Sequence, residues 1–297
     1  MKKSIVFFGA DQFGIFILDR LSQESDFLLQ KVVCPPPKKF GRKGILSPSP
    51  LESFAREKGL EVLNVSNKED MMQENDYDFM VLVAFGFLIP PEVLEIPRIA
   101  PLCVHPSLLP KFRGASPIQS QILSGEKEGG TSIFIIQKEL DAGKVLAQEK
   151  IKISEQEDYF SLSEKLEKIS ADLIVGTMKE MLKGKVSART QDETKKSFCR
   201  KISKQDGEVD FQKDSADLIY RKFRAFKKWP GVFFFYGKKR IKILDMSTEE
   251  VQNRNDLLIK CSDGKQVSIA KLQVEGKNPI TAQEFMNGYP DFYKSII

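Results

Sequence analysis

The chain has 297 residues, 41% of them hydrophobic and 29% charged, with a net charge of +5. Those values suit a folded protein with room for two domains and exclude wholesale disorder. The longest strongly apolar run, Phe79 to Pro90, is interrupted by Gly86 and falls short of the roughly 20 residues of a membrane-spanning helix, so no membrane partner is expected. Met1-Lys2-Lys3 passes directly into Ile5–Phe8, leaving no room for a signal peptide, and the four cysteines are scattered without a Cys-x-x-Cys pair. A reducing, cytoplasmic location is expected. One histidine and four dispersed thiols are too few for a classical zinc site, so no metal is expected either.

Ile5–Phe8 is predicted as a short buried strand ended by Gly9, and the spacing of Phe13, Ile15, Ile17, Leu18 and Leu21 predicts a helix after it. The turn between them, Gly9-Ala10-Asp11-Gln12-Phe13-Gly14, lacks the third glycine of a dinucleotide fingerprint and the Gly-Lys-Ser/Thr of a Walker loop. Leu28–Val33 is the next strand. It leads into Cys34–Pro50, too rich in Pro and Gly for regular structure, where Lys38, Lys39, Arg42 and Lys43 form either a grip on phosphates or a solvated loop. Helices at Pro50–Lys58 and Pro117–Leu123 alternate with strands at Phe79–Ala84 and Leu102–Val104. This alternation predicts an α/β fold with a mostly parallel sheet.

Thr131–Gln137 and Lys144–Ile153 read as a β-hairpin turning at Leu140-Asp141-Ala142-Gly143, and a long helix follows from Tyr159 to Leu182. The chain then becomes polar and aperiodic, which places a first domain at 1–187, a linker at 188–206 and a second domain at 207–297. In the second, a helix at Ser215–Lys228 precedes short strands at Val232–Tyr236, Arg240–Leu244, Leu257–Cys261 and Val267–Val274, the texture of a small β-barrel. Between Arg200 and Leu244 there are 13 Lys or Arg against 5 Asp or Glu, a balance of +8, interleaved with Phe223, Phe226, Trp229, Phe233, Phe234, Phe235 and Tyr236. A basic barrel is either a nucleic-acid platform or a solvated face over an aromatic core.

The sole histidine, His105, directly follows a strand and precedes the rigid Pro106-Ser-Leu-Leu-Pro110, at the carboxyl strand end where open α/β sheets bind ligands. Alone it reads more readily as a satisfied structural residue than as a functional one. Asp141 reads as a turn former, or as a carboxylate that keeps an imidazole charged.

Together these residues carry a resemblance. His105-Pro-Ser-Leu-Leu-Pro-Lys-Phe-Arg-Gly-Ala-Ser-Pro-Ile118 with Leu140-Asp-Ala-Gly143 resembles the signature of the folate-dependent formyltransferases. Ala84-Phe-Gly-Phe-Leu-Ile-Pro90, Gly41-Arg42…Ser47-Pro-Ser-Pro50 and Arg224-Ala-Phe…Trp229-Pro-Gly231 resemble the branch of that family that acts on methionyl-tRNA. The resemblance implies a Rossmann-like formyltransferase domain followed by an OB-like, tRNA-binding barrel. It implies transfer of a formyl group from 10-formyltetrahydrofolate to the α-amine of initiator methionyl-tRNA, for translation initiation, by a monomer.

In that reading a protonated His105 stabilises the oxyanion, while Asp141 orients it, favours its charged form and helps remove the amine proton. Ser107, Leu108, Leu109 and Pro110, with Phe85, Gly86, Leu88 and Pro90, line the folate pocket. Lys38, Lys39, Arg42 and Lys43 meet the acceptor end of the tRNA. One position departs from the family pattern Asn-x-His, which here reads Cys103-Val104-His105. The family's amide helps hold the formyl oxygen, and a thiol is only a weak donor. Three alternatives follow: a sugar-nucleotide N-formyltransferase, a catalytically weakened folate- or tRNA-binding descendant, and a redox or methylation enzyme on a similar sheet, the last without any nucleotide fingerprint.

Overall fold

The computed structural model describes residues 1–40, 44–72, 76–248 and 255–292. The chain forms two compact units, one built from Met1–Pro117, Glu128–Lys152 and Ser163–Arg200, the other from Ile118–Lys127, Ile153–Leu162 and Lys201–Ile297. The polar stretch 188–206 is thus divided at Arg200 between the two.

The chain begins with β1 (Lys3–Gly9), whose last five residues are buried, so neither face meets water, as in the middle of a parallel sheet. Asp11 caps the following α1 (Gln12–Ser22) by accepting from the Phe13 N–H, and Phe13, Ile17, Leu18 and Leu21 form its buried face. A Cβ on Gly9 would lie 2.6 Å from Leu51 and 3.0 Å from the Val83 carbonyl, so only glycine allows this strand-to-helix turn to pack. Then come β2 (Phe27–Cys34), the antiparallel pair β3 (Lys38–Phe40) and β4 (Ile45–Ser47), α2 (Pro50–Glu57), β5 (Val62–Asn64), α3 (Lys68–Met71), β6 (Phe79–Val83), α4 (Pro91–Leu94) and β7 (Ala100–His105). The β3–β4 pair corrects the expectation of a wholly irregular loop. Two three-residue runs between its prolines are enough to exchange backbone bonds, and Gly44 supplies a left-handed residue.

The unit continues with β8 (Arg113–Gly114), α5 (Pro117–Leu123), β9 (Glu128–Ile135), β10 (Val145–Lys152), the 24-residue α6 (Tyr159–Leu182) and β11 (Phe198–Cys199). Some residues of α5 and α6 fall to the other unit. Among the described residues, seven strands make one sheet in the order β10-β9-β7-β6-β1-β2-β5. All neighbours are parallel except β7–β9 and β9–β10. The α/β expectation holds. The β9–β10 connection, however, spans residues 136–144 rather than a tight turn, and its length lets Asp141 fold back over the sheet.

In the second unit Ser215 caps α7 (Ala216–Ala225), and β12 (Val232–Tyr236), β13 (Lys239–Ser247), β14 (Leu257–Lys260), β15 (Gln266–Val274) and β16 (Pro279–Thr281) form an antiparallel sheet, followed by α8 (Ala282–Gly288). Register shifts in β13 near Asp245 interrupt its ladder with β15, the kind of bulge that bends a sheet toward a barrel. The helix expected to reach Lys228 stops at Ala225, because the chain turns there into Pro230 and left-handed Gly231. Phe223, Phe226, Phe233 and Phe234 are buried, while Trp229 and Phe235 are half exposed. Much of the neighbouring positive charge is paired: Lys213 with Asp210, Lys222 with Asp214, Arg221 with Asp217 and Lys227 with Asp158. Among the described residues no helix is long and apolar enough to cross a membrane.

Candidate active site

Adjacent parallel strands end side by side, so β6 and β7, in register through Leu82 and Cys103, release their following loops at the same sheet edge. His105 is the last residue of β7 and is only 5% exposed. Its Nε2 lies 2.8 Å from the Phe112 carbonyl, and since a carbonyl can only accept, that nitrogen carries a hydrogen. Nδ1 faces Asp141 Oδ2 at 3.7 Å, too far for a hydrogen bond but close enough for strong attraction to a charged ring.

Asp141 is held in turn, its Oδ2 accepting from the Gly114 N–H at 2.7 Å. Asp141 (φ 50°) and Phe112 (φ 61°) both occupy the left-handed region, which costs a non-glycine residue energy and needs surrounding bonds to persist. Ser197 Oγ accepts from the Phe112 N–H at 2.9 Å, which aims the Phe112 carbonyl at the imidazole. Gly114 must remain glycine, with φ at 117° and a would-be Cβ 2.3 Å from the Cys199 carbonyl.

The loop after β7 is fixed from the sheet side. Thr131 Oγ1 donates to the His105 carbonyl at 3.1 Å, and Ser132 Oγ donates to the Ser107 carbonyl at 2.6 Å while accepting from the Leu109 N–H at 3.0 Å. Ser107 is fully buried and its hydroxyl donates to Lys111 O, so it shapes the loop from within. Leu109 is buried ahead of a cis Leu109–Pro110 bond, and Leu108 and Pro110 are partly exposed. In the neighbouring loop Phe85 is buried against Phe8, Gly86 is left-handed (φ 80°), and Phe87 and Leu88 are exposed at 38% and 84%. Pro90 caps α4. The two loops therefore present open apolar surface at the strand ends where His105 lies.

Cys103 points to the same face of β7 as His105, two residues away, and packs with Leu109, Phe134 and Val145. Burial, reinforced by the negative charge of Asp141, raises its thiol well above its ordinary value. It is therefore neutral and not a nucleophile. Lys38 is exposed on β3, Lys39 lies on the same short strand, and Arg42 and Lys43 lie outside the described residues. A cavity of about 600 Å³ lined by Leu146, Asp172, Gly176 and Arg189 contains none of the residues assigned to the site.

Residues 2–178 match the model of the formyl transferase family, and residues 201–290 match that of the formyl transferase C-terminal domain. The chain belongs to the formyl transferase family. It is 36% identical over 304 residues to a methionyl-tRNA formyltransferase of Caldicellulosiruptor saccharolyticus, with 96% of each chain covered. Among solved structures it resembles WlaRD, a sugar 3N-formyl transferase, with a TM-score of 0.67 at 17% identity over 94% of this chain and 99% of that one. It also resembles HypX from Aquifex aeolicus, with a TM-score of 0.68 at 15% identity over 98% of this chain and 50% of that longer one. At such identities the likeness speaks for the formyl transferase fold alone. Phe112, Gly114 and Gln191 received no role from the sequence, because what they do around His105 and Asp141 depends on backbone groups and partners distant along the chain.

Proposed function

We propose that the chain transfers a formyl group from 10-formyltetrahydrofolate to the α-amine of methionyl-tRNA, for translation initiation. The reading is carried by the pairing of buried His105 with partly buried Asp141 at a strand's carboxyl end, in a chain similar over its length to a methionyl-tRNA formyltransferase. Phe85, Gly86, Leu88 and Pro90 on one side and Ser107, Leu108, Leu109 and Pro110 on the other would form the folate pocket. Phe87 and Leu88 would offer exposed apolar surface to the pterin. Lys38, Lys39, Arg42 and Lys43 would meet the acceptor end of the tRNA, and the basic stretch from Arg200 to Leu244 its backbone.

The methionyl nitrogen attacks the formyl carbon, the new C–N bond forms, the bond to the folate nitrogen breaks, and the proton lost by the amine is made up on that departing nitrogen. His105 Nε2 is already committed to the Phe112 carbonyl, so Nδ1 is the ring atom that donates to the developing oxyanion. With both nitrogens protonated the ring is positive, and Asp141 supplies the counter-charge and accepts the amine proton, directly or through water. His105→Ala should lower turnover by ~10²–10³, the usual cost of one oxyanion donor, with folate affinity retained. Near-normal turnover of the folded variant would contradict this chemistry.

A further inference from the structure

The left-handed turn that brings Asp141 to His105 is clamped by a side chain from the segment whose composition reads as a linker. Gln191, 7% exposed, donates from Nε2 to the carbonyls of both Asp141 and Gly143, each at 2.8 Å. Its Oε1 accepts from Arg113 Nε at 3.1 Å and Nη2 at 2.8 Å. Arg113 is itself 2% exposed and adjoins Gly114, whose N–H holds the Asp141 carboxylate. These bonds close a ring running from the Asp141 carboxylate through Gly114, Arg113 and Gln191 to the Asp141 carbonyl.

We infer that Gln191 is a positioning residue, which sets the distance between Asp141 and His105 during formyl transfer. This rests on the catalytic reading of that pair. A carboxamide is the one group of this size that meets both needs: the guanidinium can only donate, and the two carbonyls can only accept. The rest of the segment supports the same site, since Ser197 holds Phe112 and β11 pairs with β8 across Arg113 and Gly114. Residues 189–199 therefore form a strap over both halves of the site rather than a free connection.

Gln191→Glu keeps an acceptor for Arg113 but removes both N–H groups from the Asp141 turn. In the full-length protein kcat should fall by ~10²-fold, the scale of a misplaced catalytic group, with KM for folate and the melting temperature close to wild type. The decisive comparison is the same substitution in an Asp141→Asn background. A residue acting through Asp141 should add little further loss there. Gln191→Met, a neutral variant of similar size, carries the same comparison if the glutamate variant does not fold. A kcat equal to wild type, or an equal fold-loss in both backgrounds, would overturn the positioning role. Full activity of Asp141→Asn alone would instead overturn the catalytic reading beneath it.

Discussion

Cys103 occupies the place where the family pattern has asparagine, and its surroundings are apolar on every side that the packing with Leu109, Phe134 and Val145 defines. A neutral thiol there fills space and donates weakly, so in the proposed reaction the oxyanion would depend on His105 and on a backbone group or water that completes its shell. Cys103→Asn should have two separable effects. Burying an amide in this cluster should cost about 1–3 kcal/mol of stability where a partner is missing, read as a lower melting temperature. The added donor should raise turnover at saturating folate, by up to ~10²-fold. A folded asparagine variant that is no faster would mean that the missing amide does not limit the rate. The departure from the pattern was visible in the sequence, but the apolar cluster around it was not, since its members lie on β7, β9, β10 and the loop after β7.

Among elements, the connection between β9 and β10 matters most to the site. Gly143 closes it, and a Cβ there would sit 1.7 Å from the Ile135 carbonyl, which is backbone and cannot step aside. Gly143→Ala should therefore shift the Asp141 turn, lowering kcat by ~10²-fold or more along with a loss of thermal stability. An alanine variant with wild-type kcat would show that the turn tolerates displacement. The strands themselves were legible, because short uninterrupted apolar runs such as Ile5–Phe8 and Phe79–Val83 suit strands buried on both faces of a parallel sheet. The strap at 189–199 was illegible for the opposite reason. Its long-range hydrogen bonds reach residues 44 to 87 positions away, and nothing in its Lys-, Ser-, Thr- and Gln-rich composition announces them. The resemblance in the His105 and Asp141 motifs singled out the two residues proposed to react, which lie 3.7 Å apart, and left Gln191 and Ser197 beside them unassigned.

For the whole molecule, the densest surplus of positive charge lies between Arg200 and Leu244, with several of its cations paired to local carboxylates. Contacts to phosphates release counterions, so use of a tRNA acceptor should weaken steeply between roughly 50 and 200 mM salt, whereas formyl transfer to a small acceptor would be far less sensitive. The acceptor is the central claim, and one assay tests it. Purified protein is given 10-formyltetrahydrofolate with either methionyl-tRNA or an amino-sugar nucleotide, and formylated product is measured for both across that salt range. The expected result is salt-sensitive formylation of methionyl-tRNA and none of the sugar. Formylation of the sugar nucleotide alone, or of neither acceptor, would contradict it.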